Sequence, residues 1–309
     1  MGSGTVTCRP MTGSLGGLRF ALVGPGRVGT SLAGWIVARG GRLQQVAGRS
    51  GRPAATLAAE LDGEATRLEA LDTAAADLLL LAVPDDELAG VAGVLARRPQ
   101  AGVALHTCGS RGATVLAPLA ATGVATGSLH PLMAFPGRLP TPPAGLICAL
   151  DGAPAALALA ARLTAAFGAE SLVVEESQRD AYHLAAVLSA GGLVTLLALA
   201  AEVARGAGLP KSLRRGYGTL ARAALESALA ASEPIDALTG PWRRGDRGTV
   251  ERELALLAAA AHGDGKTVAG LARTALRLLA ARGELGADAA ALRRALADPG
   301  FLDRYGGGC

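Results

Sequence analysis

Aromatic residues, lysines and runs of one charge are all scarce in this chain, and each shortage excludes something. Phe, Trp and Tyr together make up 3% of the 309 residues, and only Lys211 and Lys266 are lysines. The basic residues are therefore nearly all arginine, scattered among 26 acidic ones for a net charge of +4. Scattered arginine without interleaved aromatics provides neither the basic stripe nor the stacking platform of a nucleic-acid binder. No nucleic-acid partner is expected. The cysteines, Cys8, Cys108, Cys148 and Cys309, lie too far apart for a zinc knuckle or a disulfide framework, which fits a reduced, cytoplasmic protein without a metal. Residues 1–17 lack the apolar core of a signal peptide and read as a flexible extension. One segment, 184–201, is uncharged for eighteen residues, the lower limit for a membrane span. Its internal Ser189, Gly191, Gly192 and Thr195, and the His183 and Glu202 that bracket it, favour a buried core helix and no membrane partner.

What is abundant is aliphatic: half the residues are hydrophobic and 18% are charged, a globular composition long enough for two domains. From Leu18 to Val174, short apolar runs alternate with Ala/Leu-rich helical stretches, the pattern of βαβ units and a parallel sheet. Strands are predicted at 19–23, 43–47, 78–83, 103–107, 125–129, 145–150 and 171–174. After Glu175 the alternation stops, and helices are predicted at 177–206, 211–231, 249–262, 266–282 and 287–297. The expected fold is α/β: a Rossmann dinucleotide-binding domain with a mostly parallel sheet over 18–175, then an all-α domain over 176–309 for substrate and dimerisation.

The stretch RFALVGPGRVGTSLAGWIVARGG carries a strand, a GxGxxG turn and a helix. Gly24 permits the tight turn, Gly26 lets a pyrophosphate approach the backbone, and Gly29 lets helix pack on sheet. Arg27 and Val28 open the helix, whose free N–H groups and dipole favour an anion. The alternative is a merely glycine-rich turn. A NAD-preferring site shows Asp or Glu at the end of the second strand; here the chain reads Gly48, Arg49, Ser50, Gly51, Arg52. Arg49, Ser50 and Arg52 suit a 2′-phosphate and hence NADP, unless the arginines are simply solvated. In DLLLLAVPDDEL a strand buried on both faces ends at Val83 and Pro84, on the ligand side of such sheets. Asp85, Asp86 and Glu87 then read as caps of the next helix.

Hydride transfer needs a partner group for a proton, and histidine suits it near neutral pH. His106 and Thr107 end a strand and lead into Cys108 and Gly109, bordering the nicotinamide end of the cofactor. His130 follows Ser128 at another strand end. His183 and Tyr182 form a polar pair opening an otherwise apolar helix. Each histidine has a plainer reading as a satisfied structural residue. Cys108 lacks a partner base and reads as a small strand-end residue, and His262 as a helix C-cap. The loop GPWRRGDRG offers Arg244 and its neighbours to a substrate carboxylate or phosphate, or is an ordinary turn capped by Asp246 or Thr249.

Three stretches, LHTCGSRG, GSLHPLMAF, and RDAYHLAAVLSAGG with LTGPWRRGDRGTV, together resemble a bacterial Rossmann-like oxidoreductase family whose C-terminal domain has no assigned function. That family sits near pyrroline-5-carboxylate reductase, prephenate dehydrogenase and the 6-phosphogluconate dehydrogenase-like enzymes. The resemblance covers Leu18 to Arg282. It implies a NADP-binding domain followed by a helical domain that closes over the nicotinamide, with a homodimer built on the helical domains. It places His183 toward the cleft and likens the His130–Pro131 pair to the HP motif of prephenate dehydrogenases. One departure is Gly191, where the family pattern has Asn. The resemblance implies no substrate; the activity expected for this chain is NADP-dependent hydride transfer to or from a small polar carbonyl or imine, with His183 and His130 catalytic and Tyr182, Ser128 and Arg244 on the substrate. The alternatives are a prephenate-dehydrogenase-like or pyrroline-carboxylate-reductase-like enzyme, or a non-catalytic NADP-binding sensor or scaffold.

Overall fold

The computed structural model describes residues 13–98, 101–259, 265–298 and 300–301. The chain divides into two compact units, Met1–Gly191 and Gly192–Cys309. The first contains strands β1 (Arg19–Val23), β2 (Arg42–Ala47), β3 (Glu64–Thr66), β4 (Leu78–Leu81), β5 (Val103–His106), β6 (Ala125–Pro131), β7 (Ile147–Gly152) and β8 (Glu170–Val173). Its helices are α1 (Arg27–Val37), α2 (Gly51–Leu61), α3 (Leu88–Leu95), α4 (Ala117–Ala120), α5 (Pro154–Ala166) and α6 (Arg179–Val187). The strands form one sheet in the order β3-β2-β1-β4-β5-β6-β7-β8. Every pairing is parallel except β6 with β7.

The central strands are aliphatic on both faces because both faces are covered. In β1, Phe20 and Leu22 enter a core with α1, α2 and α5, while Ala21 and Val23 enter the opposite core with α3 and α4. The four leucines of β4 divide the same way, Leu78 and Leu80 to one side, Leu79 and Leu81 to the other. Burying each such side chain contributes about 1.5–3 kcal/mol. The strand order reverses between β1 and β4, so a crevice opens at their carboxyl ends.

Four expectations need correction here. The flexible extension read over residues 1–17 does not reach its stated end: residues 1–12 lie outside the described residues, but Leu15 is fully buried and its N–H donates to the Arg39 carbonyl at 2.8 Å. Strand β3 was not anticipated, because three mostly polar residues are too few to display a period. His130 lies inside β6 and not beyond it, since antiparallel β7 supplies a partner register, His130 to Ala149, that extends the strand. The buried core helix expected over 184–201 is not buried: Leu184, Val187, Leu188, Val194, Leu196 and Leu197 are exposed. Among the described residues no apolar surface covers them. A π-helical turn at Leu188–Gly192 interrupts the stretch, and Glu176–Gly206 is long and apolar enough to cross a membrane by length and composition.

The second unit contains α7 (Leu193–Gly206), α8 (Leu213–Ala230), α9 (Gly240–Arg244), α10 (Arg247–Ala259), α11 (Gly265–Ala281) and α12 (Ala287–Ala297). Its core is Val250, Leu254, Leu276, Leu292, Leu296 and Phe301, drawn from the last three helices and the residues after them. No residue of α7 or α8 is more than partly buried. The His262 reading lies outside the described residues.

Candidate functional site

The turn between β1 and α1 is built by close approach. Gly24 has φ +95°, and a Cβ there would lie 2.3 Å from the Ala82 carbonyl oxygen. A Cβ on Gly29 would lie 2.1 Å from the Gly24 oxygen, so α1 begins hard against the turn. At Gly26 a Cβ would meet nothing within 4 Å. Gly26 is the N-cap of α1, with no side-chain cap and no acidic residue in the first turn. No side chain caps the first N–H groups of the helix, those of Arg27 and Val28 among them, a condition for an anion site. The Arg27 side chain is exposed, whereas that of Val28 packs on the core.

At the end of β2 no carboxylate occupies the ribose position. Arg49 is exposed and its Nη1 pairs with Glu87 at 2.8 Å. Ser50 is the N-cap of α2 but forms no side-chain cap bond, leaving its hydroxyl uncommitted to that helix. Arg52 is exposed beside it. The glycine turn and the uncapped start of α1 fit a dinucleotide. Beyond β4, Val83 packs against the core and against Gly24, and Pro84 follows at the strand end. Of the acidic trio read as caps, Glu87 is the N-cap of α3, without a side-chain cap bond. Asp85 instead accepts the Ser110 hydroxyl at 2.7 Å. Burial opposes the Asp85 charge, but hydrogen bonds from Cys108 and Ser110 and the nearby His183 and His106 outweigh it and hold the carboxyl below its usual range.

His106 and Cys108 turn inward, which corrects their reading as cofactor-facing side chains. His106 is fully buried, with Nε2 at 3.0 Å from the Gly112 carbonyl and Nδ1 accepting the Cys108 N–H at 3.2 Å. Both ring nitrogens are spent on closing the 106–112 loop, and burial lowers the ring to about 4. The Cys108 thiol is buried, 3.3 Å from the Ser110 hydroxyl, and burial followed by Asp85 pushes it up. Thr107 is engaged through its backbone N–H to Leu81.

The remaining polar groups converge. Ser128 and His130 sit two apart on β6 and so share a face. Arg179, Tyr182 and His183 share a face of α6 by their spacing of three and four. The Tyr182 hydroxyl is 2.6 Å from His130 Nδ1, with the rings edge to face. The Arg179 Nη2 donates to the Ser128 hydroxyl at 2.5 Å. Ser128 is fully buried, and its hydroxyl holds Arg179 in place. Burial, then Arg179 and His183, lower His130 to about 4, and burial pushes the Tyr182 phenol up to about 12. His130 is therefore neutral and Tyr182 protonated at neutral pH. A Cβ on Gly109 would meet the His130 ring at 2.8 Å, so the loop after β5 holds that ring by backbone contact.

Arg179 and Gly109 were missed in the sequence, although both stand inside quoted motifs. The signal was spacing: an arginine three and four residues before Tyr182 and His183 faces the same way. Arg244 belongs to the second unit, exposed at the end of α9, so the stretch read as a loop is partly helix. Asp246 there accepts the Thr249 N–H and hydroxyl, the plainer capping reading. In the same unit, a groove of about 880 Å³ between α7 and α8 is lined by Val194, Leu197, Leu213 and Tyr217 with Arg205 and Arg214. Neither histidine nor carboxylate lines that groove. Among the described residues no group of histidine, cysteine and carboxylate has the arrangement of a metal site.

A doubly wound sheet with an uncapped glycine turn at its switch point defines a Rossmann-like protein. Residues 13–131 match the Rossmann-like domain model, and residues 146–275 match a domain of unknown function, DUF2520. The chain thus joins a Rossmann-like domain to a DUF2520 domain, as the resemblance in the motifs implied. It is similar in fold to a Bacteroides fragilis protein assigned as a NADP oxidoreductase, at TM-score 0.71 and 22% identity over 84% of this chain and 97% of that one. A Thermotoga maritima protein gives 0.65 and 19%, covering 85% and 99%. An imine reductase from Myxococcus stipitatus in complex with NADP+ gives 0.60 and 18%, covering 89% and 99%. No curated protein matches the sequence.

Proposed function

We propose that this chain is a cytoplasmic NADP-dependent oxidoreductase acting on a small polar carbonyl or imine substrate. The observation that carries the reading is the α1 N-terminus, where Gly26 leaves space and neither a cap nor an acid competes for the helix N–H groups. The fold neighbours assigned to NADP chemistry support it. Arg49, Ser50 and Arg52 would hold the 2′-phosphate, and the N–H groups of α1 the pyrophosphate. When bound, the nicotinamide supplies or accepts the hydride. The protein's own part is to bind, orient and move a proton. His130 would give its Nε2 proton to the substrate heteroatom as its Nδ1 takes the proton of the Tyr182 hydroxyl bonded to it, the tyrosinate then being reprotonated from solvent, while His183 orients the substrate atom. This polar cluster favours an enzyme over a sensor.

The same reading includes a homodimer through the helical domain. Eleven large aliphatic side chains between Leu184 and Leu229 are exposed on α6, α7, α8 and their connections. A second copy offers the same unpartnered surface, so a two-fold contact covers both at once.

Titration with NADPH and NADH, followed by nicotinamide fluorescence, tests the cofactor. NADPH is expected to bind much more tightly than NADH, and Arg49→Glu to weaken NADPH by at least about tenfold. Absence of binding by either nucleotide would remove the proposed activity.

A further inference from the structure

Arginine cannot discharge itself when buried, because its guanidinium stays protonated throughout the accessible pH range. An isolated buried charge costs several kcal/mol unless something pairs with it. Arg179 is 1% exposed, and of its three nitrogens only Nη2 has a partner, the Ser128 hydroxyl. Nε and Nη1 have no hydrogen-bond partner among the described residues. No carboxylate there lies within ion-pair distance of the guanidinium.

Two carboxylates on neighbouring elements are engaged elsewhere. Asp151 stands opposite Ser128 in the β6–β7 register, yet it accepts the Ala113 N–H at 2.9 Å. Glu176 accepts the Gly112 N–H and the Thr114 hydroxyl. Both stabilise the loop after β5 and leave Arg179 unpaired. The positive charge also lies close enough to His130 and Tyr182 to act on both. A full positive charge with unused donors thus sits beside the hydrogen-bonded pair to which the proton chemistry is assigned.

We propose that Arg179 anchors a carboxylate of the substrate, which makes the substrate class a small keto or imino acid. The inference rests on the oxidoreductase reading and narrows it. A carboxylate supplies the missing charge and acceptors, and anchoring it leaves the adjacent carbonyl or imine carbon on the side of His130 and Tyr182. A neutral ketone leaves the guanidinium unpaired and is discriminated against, as sites built around a charged donor reject ligands lacking its partner.

The probe is oxalate, with oxamide as its neutral counterpart, titrated by calorimetry into the full chain with and without NADP+. Oxalate is expected to bind the wild type, and oxamide to bind at least about tenfold more weakly. Arg179→Met is expected to lose oxalate binding and keep NADPH binding, with thermal stability equal to or above wild type, because it removes an unpaired buried charge. Arg49→Glu is expected to do the opposite, losing NADPH and keeping oxalate without NADP+. This separates failure of the anchor from failure of the cofactor reading. Unchanged oxalate binding in folded Arg179→Met, or none by the wild type, overturns the proposal. Should Arg179→Met not fold, Arg179→Lys decides: it keeps the charge but not the planar donor set, so weakening supports the anchor and unchanged affinity overturns it.

Discussion

His106 and His130 are both held near 4 by burial, against 6.5 for an exposed ring, yet they do different work. His106 spends both nitrogens inside its own loop, while His130 keeps Nε2 beside the Gly109 backbone and gives only Nδ1 to Tyr182. Their depressed values have a thermodynamic consequence. Between about pH 6.5 and pH 4 the unfolded chain binds protons at both rings and the folded chain does not, so stability falls as pH drops through that window. Above pH 7 these two groups contribute no pH dependence. Thermal unfolding across pH 4–8 is expected to show uptake of about two protons on unfolding near pH 5, and His130→Gln to remove about half of it. A flat profile would mean that the rings are not buried as described.

The β1–α1 element separates two jobs that one glycine motif combines. Gly24 is required by conformation and contact, whereas Gly26 is required by nothing in the fold, since a methyl there meets only open space. Gly24→Val is therefore expected to lower stability in urea unfolding by more than about 2 kcal/mol. Gly26→Ala is expected to leave stability within about 0.5 kcal/mol of wild type and still weaken NADPH by at least about tenfold, by placing a methyl where the pyrophosphate must approach. Equal loss of stability in both variants would assign Gly26 to the fold instead. The π-helical turn at Leu188–Gly192, which contains Gly191, is a second irregular element, of a kind that recurs at functional sites.

For the whole molecule, the unusual feature is how much aliphatic surface a single copy leaves uncovered. Leu188, Val194, Leu220 and Leu229 are each more than 60% exposed, and no residue of α7 or α8 is more than partly buried. Obligate dimers bury about 2,000–5,000 Å², a scale that two or three long helices per copy can reach. Light scattering on the purified protein is expected to give twice the chain mass, and Leu197→Arg with Leu220→Arg to give a monomer that still binds NADPH. A wild-type monomer, free of lipid and detergent, would contradict the dimer.

The sequence by itself determined the layered α/β half, because continuous aliphatic strands alternating with helices have few other ways to bury both faces. It also determined the glycine turn, whose chemistry is local, and the helical identity of the second half. The tertiary structure decided which polar residues meet. His106 and His130 are indistinguishable as strand-end histidines, yet one is consumed by its own loop and the other is brought to Tyr182 from 52 residues away. Burial of Arg179 without a counter-charge among the described residues depends on where Asp151 and Glu176 turn, which no spacing encodes. The exposure of 184–201 was equally illegible: hydrophobicity states that a surface must be covered, and only the folded chain shows that it does not cover it itself.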